Sequence, residues 1–151
     1  MSGFELSRLI YTNNEQVAHP VAEKVNTEEL LESSDFIIIC AALNDSTRGL
    51  FNKAAFQKMK KTAILINTAR GPIVHMDDLA DALEQGQIAG AGLDVAIPEP
   101  IPLDHRLLKL KNCVILPHIG SATVEARSAM SELAAQNVIT ALQNKSIIAE
   151  V

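Results

Sequence analysis

The sequence predicts an α/β fold, a doubly wound parallel sheet, and three observations carry that reading. Four short apolar runs recur along the chain, Phe36–Ala42, Ala63–Ile66, Ala91–Val95 and Cys113–Leu116. They are nearly continuous in apolar character instead of alternating, the signature of parallel strands buried on both faces. Between them lie segments with helical spacing and capping residues, and strand–helix alternation builds a parallel sheet with helical crossovers.

Taken in order, Leu9–Thr12 reads as a short strand ending in the polar turn Asn13-Asn14-Glu15. Asn26 followed three residues later by Glu29 opens a helix through Leu30 and Leu31 that stops before Asp35. Phe36–Ala42 is the next strand. Asn52 caps a helix carrying Ala55, Phe56 and Met59, and Ala63–Ile66 follows as a buried strand. Asp77–Glu84 places Leu79, Ala80 and Leu83 on one face, with Gly86 positioned to end that helix. Ala91–Val95 is a strand whose glycines suit close backbone approach. Pro98, Pro100 and Pro102 make a stiff loop, and Cys113–Leu116 is a strand closed by Pro117. Thr123–Gln143 is the longest helix, with Ala126, Met130, Leu133, Ala134, Val138, Ala141 and Leu142 on one apolar stripe.

At 151 residues, 48% hydrophobic, the chain has the length of one domain and the composition of a folded one. A net charge of −5, with Lys58–Lys61 as its densest basic patch, argues against nucleic acid or an anionic membrane as partner. No apolar run reaches the roughly 20 residues of a membrane span, and the start lacks the pattern of a secretory signal. Cys40 and Cys113 have no metal-type spacing and read as buried free thiols in a reducing cytosol; no metal site is expected.

Three loops carry the chemistry. Arg70 follows the run ending at Ile66, Glu99 stands between two prolines after Val95, and His118 follows Pro117. In an open parallel sheet the loops after the strands line the ligand crevice. An arginine clamps a carboxylate through two hydrogen bonds, a histidine transfers a proton near neutral pH, and a glutamate beside it favours the protonated ring. Each has a plainer reading alone: Arg70 as a surface ion-pair residue, Glu99 as an exposed loop residue, His118 as a satisfied histidine at a helix entry. Together they suit reduction of a 2-oxo acid. His19, His75 and His105 read as solvent-facing or structural. A dinucleotide-binding sheet normally opens with a strand and a G-x-G-x-x-G turn. No such triplet is present, and Gly90-Ala91-Gly92 precedes a strand instead of opening a helix.

The chain resembles the D-2-hydroxyacid dehydrogenase family, and within it the branch that reduces glyoxylate and hydroxypyruvate. The resemblance rests on Ser34-Asp35-Phe36, Asn52-Lys53, Phe56–Lys60, Ile66-Asn67-Thr68-Ala69-Arg70-Gly71, Ala91–Val95, Pro98-Glu99-Pro100 and, most specifically, Leu110–Thr123. It implies a Rossmann-like NAD(P)-binding domain, incomplete here because the first strand and its glycine-rich turn are missing. Residues 1–122 would form that partial domain, and residues 123–151 a helix and tail returning toward an absent substrate-binding domain.

The resemblance also implies roles. Arg70 would grip the substrate carboxylate and polarise the 2-oxo group. His118 would give its proton to the carbonyl oxygen as hydride arrives from the nicotinamide, and Glu99 would hold the far nitrogen of His118. Asp94 would lie near the nicotinamide amide with the Gly120 backbone close, while Ala42 and Thr68 would line the cofactor groove through their backbones. The implied cofactor is NADP, with NAD the alternative: relatives that favour NADPH carry a basic residue about where Asn14 stands, and Glu15 is the nearest acid. The implied protein is a cytoplasmic homodimer acting on a small 2-oxo acid. Two other functions stay open, a shortened chain without activity of its own and a corepressor of the same fold that recruits peptides and keeps the same three residues.

Overall fold

The computed structural model describes residues 6–13 and 21–149. The expected turn at Asn14-Glu15 and the histidine His19 lie outside them. The chain divides into two compact units, Met1–Pro117 and His118–Val151.

Among the described residues of the first unit, six strands form two separate parallel sheets. β1 (Ile10–Tyr11) pairs with β2 (Glu23–Lys24). β3 (Phe36–Ile39), β4 (Ile64–Asn67), β5 (Gly90–Leu93) and β6 (Cys113–Ile115) lie side by side in that order. The parallel α/β architecture expected from the sequence is the one that forms. β2 gives no apolar signal because both its residues are charged and exposed. Arg8 reaches Glu23 on that strand and Glu29 on the next helix at 2.8 and 2.9 Å, tying the small sheet to its neighbour.

The helices start where side-chain caps predict. Asn26 Oδ1 accepts from Glu29 N at 2.8 Å and opens α1 (Thr27–Ser33). Asn52 Oδ1 accepts from Ala54 N and Ala55 N to open α2 (Lys53–Lys58). His75 Nδ1 accepts from Asp78 N at 3.4 Å at the head of α3 (Met76–Glu84), so His75 is a helix cap. His105 likewise caps the short 3₁₀ turn Arg106–Lys109. Gly86, at φ 64°, follows the end of α3 in the left-handed region that a glycine adopts without penalty.

The core lies on one face of the four-stranded sheet. Ile37, Leu65 and Ala91 stand in register, as do Ile39, Asn67 and Leu93, and they pack against Leu31, Ala55, Phe56, Leu79, Ala80 and Leu83 from the three helices. The other rows, Phe36–Ile64–Gly90 and Ile38–Ile66–Gly92–Val114, face away from that core. Phe36 is 60% exposed, Ile38 41% and Val114 62%. This corrects the expectation that Phe36–Ala42 is covered on both faces: α1, α2 and α3 contribute their buried residues to a single core on one side. The strand also ends at Ile39.

The cysteine expectation needs the same correction. Cys40 has the parity of Phe36 and Ile38 and is exposed, while Cys113, on the covered side, is half-buried. Burial pushes the Cys113 thiol up to about 11, so it stays protonated near neutral pH. Iodoacetamide is therefore expected to label Cys40 well before Cys113 in the native protein, read by mass spectrometry of the tryptic peptides. Equal labelling rates would contradict the assigned faces.

The second unit is α4 (Val124–Leu142), capped by Thr123 Oγ1 accepting from Ala126 N at 3.1 Å, with its tail folded back. Asn137 holds that tail, donating to Ala149 O and accepting from Ile148 N. The expected apolar stripe is not buried within this unit: Met130, Leu133, Val138 and Leu142 are all exposed, as are Val124 and Ile139 outside the stripe. One helix and a short tail have no second element of their own to cover it.

Candidate functional site

Five of the expected residues stand on loops that leave the carboxyl ends of β3, β4 and β5, and the turn after β4 is the most tightly built. Asn67, the last residue of β4, is 1% exposed and bends the chain back on itself. Its Oδ1 accepts from Ala69 N and its Nδ2 donates to Arg70 O, both at 3.0 Å. The carbonyl of Arg70 also accepts from Ile73 N at 3.3 Å, so its backbone is held from two directions. The Arg70 side chain is exposed, with one guanidinium nitrogen donating to Ala69 O at 2.7 Å. Thr68, between these anchors, is exposed.

β5 ends beside this turn. Asp94 N donates to Asn67 O at 2.9 Å, and Asp94 is buried where the strand meets the loop. Ala96, two residues on, donates its N–H to Glu99 Oε1 at 2.8 Å, fixing the carboxylate over its own loop. The Ile97–Pro98 and Glu99–Pro100 bonds are both cis.

The two loops touch at Gly71. A Cβ there would stand 1.9 Å from Ala96 O and 2.2 Å from its carbonyl carbon, both backbone atoms that cannot swing aside. Glycine is required for space, and it lets the Arg70 loop lie directly on the segment that carries Glu99. Gly71→Ala is expected to destabilise the protein by about 1–3 kcal/mol, as overpacking of a closed contact does. Urea denaturation checks this, and an unchanged midpoint would contradict the close approach.

Ala42 lies in the exposed loop after β3, its carbonyl taken by the Thr47 hydroxyl at 2.7 Å. Asn44 closes that loop as a turn, its Oδ1 accepting from Ser46 N and Thr47 N. His118 and Gly120 open the second unit. His118 has φ 55°, the left-handed region that non-glycine residues seldom occupy and that gathers at functional positions. The first unit thus brings Arg70, Asp94 and Glu99 together through Asn67 and Gly71, while His118 and Gly120 belong to the other body. Among the described residues no group of three or more His, Cys, Asp or Glu side chains is placed to hold a metal ion, and no helix is long and apolar enough to cross a membrane.

Buried Asp94 and the exposed residues Ala42 and Thr68 all lie at strand carboxyl ends, where a polar side chain and open loops fit one end of a dinucleotide. Sequence reading gave Asn67 and Gly71 no separate roles. The signal for Asn67 was present, since an asparagine ending an apolar run bonds its own backbone two residues on. The signal for Gly71 was not, because the contact it permits is with a residue far along the chain.

Comparison with known proteins shows the family. The chain is 51% identical to the human "Glyoxylate reductase/hydroxypyruvate reductase" over 97% of its length and 46% of that protein's. It superposes on the crystal structure of TT0316 protein from Thermus thermophilus with TM-score 0.89 and 39% identity, covering 95% of this chain and 46% of that one. The D-lactate dehydrogenase of Lactobacillus jensenii, solved with NAD+, gives TM-score 0.86 and 27% identity over 95% and 48%. The chain therefore spans about half the length of the relatives it matches. The model of the family described as D-isomer specific 2-hydroxyacid dehydrogenase, NAD binding domain, matches residues 1–120, and the chain belongs to that family.

Proposed function

We propose that this chain supplies the catalytic face of an enzyme that reduces a small 2-oxo acid, glyoxylate or hydroxypyruvate, to its D-2-hydroxy acid with NADPH, or NADH in its place. The observation that carries the reading is the fixed pairing of the Arg70 and Glu99 loops at Gly71 and Ala96. The printed name of the human relative supports the choice of substrate.

When bound, the nicotinamide supplies the hydride. Arg70 binds the substrate carboxylate with two parallel hydrogen bonds, and its charge draws electron density from the neighbouring carbonyl. The His118 imidazolium gives its proton to the carbonyl oxygen as the carbon is reduced, and Glu99 serves as the carboxylate partner of His118. Asp94 orients the carboxamide of the nicotinamide, with the backbones of Ala42 and Thr68 beside the cofactor; Gly120 contributes to cofactor binding through its backbone. One hydride and one proton convert the ketone to the alcohol.

One observation favours a second reading, that these residues by themselves form an inactive part of such an enzyme. The described strands make two separate sheets, and the sequence has no G-x-G-x-x-G turn to receive a pyrophosphate. Two parallel assays separate them. The complete gene product and residues 1–151 alone are each mixed with reduced nicotinamide cofactor and either glyoxylate or hydroxypyruvate. Oxidation by the complete gene product that depends on the oxo acid supports the enzyme, and its absence overturns that reading. Oxidation by residues 1–151 alone above a His118→Ala control overturns the inactive form.

A further inference from the structure

We infer that Asn67 is a positioning residue, which holds the Arg70 backbone so that the guanidinium meets the substrate carboxylate in one orientation. The inference rests on the reading of Arg70 as the substrate clamp.

Three parts of the site meet at Asn67. Its main-chain carbonyl accepts from Asp94 N, its side-chain oxygen accepts from Ala69 N, and its side-chain nitrogen donates to Arg70 O. The last two are complementary groups, one donor and one acceptor, set two and three residues along the chain. A planar carboxamide of this length matches both. An aspartate would turn a carboxylate oxygen toward the Arg70 carbonyl in a place that is 1% exposed, where an unpaired charge is costly. A serine could reach only one of the two. With both bonds made, the exposed arginine springs from a backbone whose direction is fixed, and one of its guanidinium nitrogens rests on Ala69 O at 2.7 Å. Orientation matters because a clamp displaced by about 1 Å costs about 10²-fold in rate.

The test uses the complete gene product and its Asn67→Ala variant, which can make neither side-chain bond, with two independent readouts. Amide hydrogen exchange at Ala69 is expected to be about tenfold or more faster in the variant, with Ile64 and Asp94 still protected. The KM for hydroxypyruvate is expected to rise about tenfold while the KM for reduced nicotinamide stays within about twofold, a split that general loosening would not produce. Unchanged Ala69 exchange, or equal rises in both KM values, would overturn the inference. Should the unsubstituted protein reduce no oxo acid, the functional reading falls, and Ala69 exchange alone decides the role of Asn67. Should the variant not fold, exchange of the Asn67 Nδ2 protons in the unsubstituted protein decides it. Slow exchange of one proton is expected, and rapid exchange of both would overturn the clamp.

Discussion

His118→Gln is expected to lower kcat for hydroxypyruvate reduction by on the order of 10²- to 10⁴-fold, the usual contribution of a positioned proton donor, and to leave the affinity for reduced nicotinamide unchanged. Glutamine keeps a polar side chain of similar reach but has no acidic proton to transfer near neutral pH. The residue follows Pro117 directly and takes φ 55°. A backbone conformation uncommon for a residue with a Cβ is kept where the surroundings hold it, and a proton donor must be aimed. Steady-state kinetics of the complete gene product, with the cofactor dissociation constant from fluorescence titration, reads both quantities. A kcat near that of the unsubstituted protein would remove His118 from the mechanism.

Arg70→Lys is expected to lower kcat/KM by on the order of 10²-fold although the charge is kept. Lysine is a point charge on a flexible stem. It cannot offer the two parallel N–H groups that fix a carboxylate in plane, even though the Asn67 bonds to the backbone beneath it are kept. The loss falls on the oxo acid and not on the cofactor. A variant with near-normal KM and kcat for glyoxylate would show that Arg70 does not bind the substrate.

Much of the fold was legible because local chemistry and global architecture agree. Asn26 and Asn52 signal helix starts through their own side-chain oxygens, and both caps form. Leu65, Leu79 and Leu83 are buried as their spacing predicts. What escaped depends on neighbours that no local pattern encodes. The run from Phe36 looks like a strand covered twice because isoleucine and phenylalanine look alike on either face. Only the positions of α1, α2 and α3 decide that Ile37 and Ile39 are buried while Phe36 and Ile38 are not. β2 was invisible because its ladder rests on backbone hydrogen bonds between two charged, exposed residues and β1. In the site, Arg70, Glu99 and His118 stood out by residue type and by following apolar runs. The packing of Gly71 on Ala96 links residues 25 positions apart, and it could be read only from the folded chain.

The central claim is that Glu99 and His118 act on the oxo acid as one unit, and a double-variant cycle tests it most directly. Glu99→Gln keeps an oxygen acceptor for the Ala96 N–H, so its effect reports the charge and not the loop. Measured with hydroxypyruvate in the complete gene product, each single variant lowers kcat. The Glu99→Gln/His118→Gln pair is predicted to be slower than His118→Gln alone by no more than about threefold, because residues that act as a unit lose activity together. Losses that multiply in the double variant would show that the two side chains act independently, and would contradict the account.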